Sequence, residues 1–320
     1  MSSDLWSITS YFNPCRYKTK RENFDAFMED MERVGANLLV VEMAFADEEF
    51  ELPESKNVLR LRGSGVMWQK ERLLNIAAAT LPDSCRKIAW LDCDLLFENP
   101  DWPRLTSEAL DEHFVVQPFS TAVRLPRDSR VADGRGEYYE SYAQIFTENP
   151  RVARTTDFVF HGHTGFAWAA RRELFEKIGL YDVCLTGSGD HLMAHGFAGG
   201  LMHTPCLKRV IGGQRHYSQH FLDWAIKARD MVQGKIGVVP GNLLHLWHGD
   251  LVDRRYGEMN QQFKEFDFDP NKHLRHDENG LWEWNDAPPE LRQWASDFFS
   301  IRREDGDPDA PLQQKAAAQA

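Results

Sequence analysis

The feature that most constrains this chain is a regular alternation of strand-like and helix-like segments through its first third, ending in an apolar strand that runs into two aspartates. Leu5 to Phe12 mixes apolar and hydroxyl residues in a strand-like run. Glu22 to Val34 places Phe24, Phe27, Met28, Met31 and Val34 near helical spacing, and Gly35 then punctuates it. Asn37 to Phe45 is a continuous apolar run, the pattern of a strand buried on both faces. Asn57 to Leu61 reads as a short strand, Trp68 to Leu81 as a helix stopped by Pro82, and Lys87 to Asp92 as a further strand. Strands alternating with helices imply βαβ units, and hence an α/β fold with a mainly parallel sheet and right-handed crossovers.

From about Asn99 the rhythm breaks. Arg124 to Gly136 is a polar, basic loop, and His161 to Ala170 is a small-residue, aromatic segment that runs into a helix over Arg171 to Ile178. Further helices are expected at Asp190 to His195, Gln219 to Gln233 and Asp253 to Phe266. A last one at Pro288 to Ile301 carries an apolar stripe of Leu291, Trp294, Ala295, Phe298 and Phe299 that predicts docking on the body. One domain over 1–302 is expected, with a disordered tail over 303–320, where large apolar residues run out.

Composition narrows the function classes. With 37 Lys+Arg against 49 Asp+Glu the formal charge is -12, which disfavours general binding to a phosphate backbone. The amino terminus lacks the pattern of a secretion signal and no apolar run reaches spanning length, so a cytoplasmic location is expected. The five cysteines (Cys15, Cys85, Cys93, Cys184 and Cys206) are scattered and none forms CxxC. They read as small buried hydrophobes, with neither a disulfide framework nor a thiolate zinc site indicated.

Three stretches carry chemistry. In KIAWLDCDLLFENP the strand ends in Asp92-Cys93-Asp94. Residues two apart on extended backbone point the same way, and ligands of open α/β sheets bind beyond the carboxyl ends of strands. Two carboxylates there suit Mg²⁺ or Mn²⁺ shared with a diphosphate, whereas a turn would use them only as caps. Downstream, NLLHLWHGD offers His245 and His248, either of which could add an imidazole; the mixed oxygen and nitrogen set favours Mn²⁺ over Mg²⁺. Between them lies a segment in which Gly162, Gly165, Gly187 and Gly189 permit close approach and Trp168 offers a ring for a sugar face. Asp190 follows there at a helix start, as an N-cap or as a general base.

In order and spacing these blocks resemble the metal-dependent glycosyltransferases of the GT-A fold, in particular the branch holding the β-1,4-galactosyltransferases and polypeptide N-acetylgalactosaminyltransferases. The resemblance covers about Leu5 to Tyr256 and rests on Arg72 and Asn75 before the LDCD strand, on TGFAWAARRELFEKIGLYD followed by GSGDH, and on HLWHGD. It departs from the galactosyltransferases at Gly189-Asp190-His191, where only one acid of their acidic run is carried over.

The resemblance implies a nucleotide-sugar half over about 1–100, an acceptor and metal half over about 101–256, and a helical extension to 302. It further implies transfer of a sugar from a nucleotide-diphosphate donor, UDP-linked by preference, to an acceptor hydroxyl, with Mn²⁺ (or Mg²⁺) held by Asp94 and His248. Asp92 would touch the ribose and the ion's shell, Ser10, Tyr11 and Arg16 would cradle base and ribose, and Arg72 would lie near the phosphates. Asp190 would be the base of an inverting reaction, the course favoured, or would only bind the sugar in a retaining one. Three other classes fit parts of the pattern: a sugar-nucleotide nucleotidylyltransferase, a non-catalytic carbohydrate-binding protein, and a DNA-base glycosyltransferase using Arg124, Arg127, Arg130 and Arg135.

Overall fold

The computed structural model describes residues 4–185, 187–201 and 204–306. The first third follows the expected alternation: β1 (Leu5–Tyr11), α1 (Lys18–Arg33), β2 (Leu38–Phe45), β3 (Val58–Gly63), α2 (Lys70–Thr80) and β4 (Lys87–Leu91). Helix α1 ends where Gly35 adopts φ +65, which lets the amides of Gly35 and Ala36 turn back onto the carbonyls of Glu32 and Met31. Helix α2 stops before Pro82, which has no amide hydrogen to continue it.

The middle of the chain is made of shorter pieces. They are β5 (Leu95–Phe97), α3 (Trp102–Glu112), β6 (Val115–Gln117), β7 (Thr121–Arg124), β8 (Glu137–Glu140), α4 (Tyr142–Glu148), α5 (Pro150–Thr155), β9 (Ala167–Arg171) and α6 (Glu173–Lys177). The remainder is largely helical: α7 (Gly189–Ala198), α8 (Pro205–Ile211), α9 (Arg215–Val232), β10 (Ile236–Val238), β11 (Asn242–His245), α10 (Leu251–Arg254) and α11 (Tyr256–Phe263). After these come α12 (Pro270–His273), β12 (Leu274–His276), β13 (Trp282–Trp284) and α13 (Pro289–Ser300).

The main sheet runs β10-β6-β9-β4-β1-β2-β3. Its pairings are parallel except where β9 inserts antiparallel between β4 and β6. This is the expected α/β architecture, a large mainly parallel sheet flanked by helices. The sequence reading ran His161 to Ala170 directly into a helix; instead Ala167–Arg171 is a strand in the middle of the sheet, and only Glu173–Lys177 is helical.

Alternation along the strands feeds two cores. Ile8, Trp90 and Trp168 face Leu73 and Leu74 of α2, and on this side Leu291, Trp294, Phe298 and Phe299 of α13 dock as the apolar stripe predicts. Leu5, Tyr11, Leu91 and Ala169 face Phe24 and Phe27 of α1 and Trp102 and Leu110 of α3. A second sheet, β5-β11-β7-β8, forms next to the carboxyl end of β4, because β5 follows that end after a three-residue turn. None of the described helices is long and apolar enough to cross a membrane.

Candidate active site at the carboxyl end of the β4 strand

Strand β4 ends at Leu91, and the turn Asp92-Cys93-Asp94 leads straight into β5. Antiparallel pairing then sets Leu95 opposite His245, the last residue of β11, so register alone brings His245 beside Asp94. A backbone bond from the Leu246 amide to the Asp94 carbonyl (2.9 Å) fixes the following loop, which returns His248 to the same place. The Nε2 atom of His248 lies 3.1 Å from Asp94 Oδ2, that of His245 lies 4.0 Å from it, and the two Nε2 atoms are 3.1 Å apart. The spacing had left the choice between the two histidines open; the fold brings both to Asp94.

All three groups are deeply set. Burial, with the charges of His248 and Arg254 behind it, holds His245 well below the ordinary imidazole range. Burial and Arg254 take His248 down to about 3. Both rings are therefore neutral at pH 7 and meet an ion with lone pairs rather than charge, that of His248 Nε2 being shared with Arg254 Nη2 at 2.8 Å. The Asp94 carboxyl is pushed up to about 7 by burial and by the charge of Asp92. Its Oδ1 is buried without a hydrogen-bond partner among the described residues. A carboxylate with an orphaned oxygen facing two neutral imidazoles is a donor set that fits a divalent cation.

The neighbours of His248 complete this arrangement. Glu304 Oε1 stands 3.6 Å from its Nδ1, on the side away from Asp94, as a carboxylate orienting a metal-binding histidine would. Glu304 is itself buried; Lys20, Arg302 and His248 overcome that burial and hold it well below the ordinary carboxyl range. Arg302 Nε donates to it at 2.7 Å. Residues 303–306, expected to open the disordered tail, thus pack on the site, because Glu304 exchanges solvent for two cations and an imidazole. The rest of that expected tail, 307–320, lies outside the described residues. Arg254 Nη2 approaches His248 Nε2 at 2.8 Å.

Asp92 faces a different partner. Lys70, at the start of α2, donates to Asp92 Oδ1 at 2.8 Å and to Asp190 Oδ2 at 2.9 Å. Asp190 lies in the first turn of α7, whose N-cap is Ser188, so Asp190 is not the cap. Burial and Asp92 raise its pKa while Lys70 opposes them, and the net direction is upward. Gly165 packs close beside it: a Cβ there would stand 3.3 Å from Asp190 Oδ2 and crowd it. Glu71 is buried against the same group; burial raises it to about 8, and its Oε1 has no hydrogen-bond partner. A Cβ on Gly189 would meet that oxygen at 2.5 Å, so the tight start of α7 and the buried Glu71 require each other.

Other expected residues have other surroundings. Arg72 and Asn75 clasp Asp182 at 3.2 and 3.0 Å, and Asn75 also holds Leu180. Arg72 is two positions beyond Lys70 on a helix and so projects from the opposite side, toward Asp182 rather than Asp92. Trp168 is 1% exposed: it pairs in register with Trp90 in mid-sheet and donates its indole N–H to the Thr164 carbonyl. The idea that it stacks on a sugar is therefore corrected, because a central strand covered on both faces leaves its side chains in the core. Ser10 is buried on β1. Tyr11 donates to Glu51 Oε2 at 2.5 Å, and Arg16 pairs with Glu51 Oε1 at 3.0 Å, so these two share one carboxylate at the end of β1.

Sequence reasoning missed Lys70, Glu71 and Glu304, and also Phe166. Phe166 holds φ +79, unusual for a bulky side chain, and stacks on His163 while leaning on His245 at 4.6 Å.

No protein-family model and no curated protein matches this chain. Among solved structures it is similar to a manganese, UDP-Gal and xylobiose complex of a Drosophila β1,4-galactosyltransferase 7 mutant. That overlap has 11% identity, 91% of this chain, 98% of that one and a TM-score of 0.39. It is also similar to a glycosyltransferase involved in glycosylating the major capsid of PBCV-1 (10% identity, 81% and 98% covered, TM-score 0.33). A third is 4-diphosphocytidyl-2C-methyl-D-erythritol synthase from Anaerococcus prevotii (10% identity, 92% and 96% covered, TM-score 0.34). The neighbours thus include both nucleotide-sugar transferases and a nucleotidyltransferase. The overlaps are loose, and the functional reading rests on this chain's own residues.

Proposed function

We propose that this chain is a glycosyltransferase that moves a sugar from a nucleotide-diphosphate donor, UDP-linked by preference, to an acceptor hydroxyl. The observation that carries the reading is the split use of the two aspartates after β4: Asp94 faces two neutral imidazoles, while Asp92 faces the Lys70 ammonium that also holds Asp190. Such a strand end offers a divalent-cation seat next to a carboxylate poised by a lysine.

Asp94, His245 and His248 would hold Mn²⁺ (or Mg²⁺), which when bound neutralises the charge of a diphosphate leaving group. Lys70 ties Asp92 to Asp190 across the site. Asp190, with its pKa raised, acts as the base that takes the proton of the attacking hydroxyl in an inverting reaction. Arg16, beyond the neighbouring end of β1, would reach the base and ribose of a donor, whereas the side chains of Ser10 and Tyr11 are buried there. The acceptor is a hydroxyl-bearing molecule, with a carbohydrate first among the classes. The basic loop supports a nucleic-acid acceptor poorly, since Arg135 is paired with Asp128 and Asp133 and Arg124 is turned toward His163.

A thermal-shift screen of nucleoside diphosphates with Mn²⁺ tests this reading. It predicts stabilisation by one nucleoside diphosphate that needs the ion and is lost with EDTA. Stabilisation that ignores EDTA, or none with any nucleotide, would count against it.

A further inference from the structure

The geometry points to a second cation site, away from Asp94, in which His161, His195 and Cys206 together bind a zinc-class ion as a structural clip. Donor atoms of the three residues all lie within 4.8 Å of one another, and each residue is fully buried. They come from three segments: His161 from the loop before β9, His195 from α7 and Cys206 from the start of α8. No CxxC or other short motif announces them.

Two observations indicate that this cluster is built to hold something. The His161 Nδ1 atom lies 2.7 Å from the Gly162 carbonyl oxygen, which can only accept, so the ring proton sits on Nδ1. That leaves the Nε2 lone pair facing Cys206 Sγ at 3.0 Å. In addition, neither ring nitrogen of His195 has a hydrogen-bond partner among the described residues, although the residue is 0% exposed. A buried imidazole with both nitrogens unpaired is costly, because each has lost water without gaining a partner. The hydroxyl of Tyr142 is likewise orphaned, and its ring lies edge-on to both histidines at 5.5 Å. An ion at the centre of the trio would supply the partner that His195 lacks.

Ligand chemistry separates this site from the first. Two imidazoles and a thiolate form a softer set, suited to Zn²⁺, whereas a carboxylate with two imidazoles also accepts harder ions. On binding, the Cys206 proton leaves to solvent and a sulfur–metal bond replaces the S–H bond, while each imidazole binds through a ring lone pair. A nucleophilic Cys-His pair is the poorer reading, because Cys206 is 0% exposed and no substrate reaches it.

The position gives the clip a purpose. The same α7 that carries His195 begins with Asp190, and the segment that carries His161 continues to Gly165 beside Asp190. Tying these segments to α8 fixes that wall of the active site. The inference does not depend on the sugar-transfer reading.

The test uses the full chain, stripped of metal with a chelator, desalted and titrated with Co²⁺ and then Zn²⁺. The wild type is expected to develop a thiolate-to-cobalt charge-transfer band that Zn²⁺ removes. The signal should persist in Asp94→Ala and vanish in Cys206→Ser, and His195→Gln should weaken the ion's hold at least tenfold. If Cys206→Ser does not fold, X-ray absorption of the zinc-loaded wild type decides, with one sulfur at about 2.3 Å and nitrogens at about 2.0–2.1 Å expected. A wild type with no charge-transfer band, a band that survives in folded Cys206→Ser, or a band abolished by Asp94→Ala would overturn the proposal.

Discussion

The Lys70 ammonium donates to Asp190 Oδ2 at 2.9 Å, joining the first turn of α2 to the first turn of α7 across 120 residues of sequence. The same nitrogen holds Asp92, so one cation separates two carboxylates that would otherwise repel in a buried place.

Replacing Lys70 by Met should therefore leave two partly buried acids facing each other. The expected cost is about 2 kcal/mol, below that of a fully buried broken ion pair. Denaturant midpoints measure it, and the double variant Lys70→Met/Asp190→Asn should recover a large part. A loss under 1 kcal/mol would mean that the pair carries no such role.

Glu71 predicts a pH dependence. Its carboxyl is raised by burial from 4.5 to about 8, so the folded chain binds its proton more tightly than the unfolded chain. The stability it contributes is complete below about 4.5 and is lost as pH rises toward 8, with a slope of at most about 1.4 kcal/mol per pH unit. Glu71→Gln should flatten that decline. Denaturant midpoints of wild type and variant between pH 5 and 8 check the sign.

Glu304 is expected to act through His248 rather than on substrate. Glu304→Gln should weaken Mn²⁺ binding about 10-fold or more while the chain stays folded, because the imidazole loses the carboxylate that orients it. Calorimetric titration of Mn²⁺ reads this directly. An unchanged affinity would remove Glu304 from the account.

Trp168 offers a test of what the site does not use. Trp168→Phe should lower stability by about 1–3 kcal/mol through lost packing beside Trp90, with KM for the donor unchanged. A raised KM at unaltered stability would restore a sugar-stacking role.

Much of this arrangement was legible beforehand because strands buried on both faces are long apolar runs and Gly35 and Pro82 punctuate the helices between them. Asp92 and Asp94 stood out because a strand ended in them, and His245 and His248 because they share a short segment; their meeting with Asp94 required the β5–β11 register. Lys70 escaped notice because a lysine at a helix start carries no motif, and attention fell on Arg72, which the helical rotation turns away. Glu304 was hidden in a polar stretch whose composition resembles a free tail. The trio of His161, His195 and Cys206 is discontinuous, so only packing brings it together. Trp168 misled because an aromatic residue among glycines suggests a sugar platform, whereas a mid-sheet strand also needs large side chains.

The most direct measurement of the central claim is release of nucleoside diphosphate from a panel of nucleotide sugars by the purified chain with Mn²⁺. The account predicts release from at least one donor, abolished by EDTA and in Asp94→Ala, and reduced in Asp190→Asn when acceptor hydroxyls are supplied. A full panel with no release, or release that Asp94→Ala leaves intact, would contradict it.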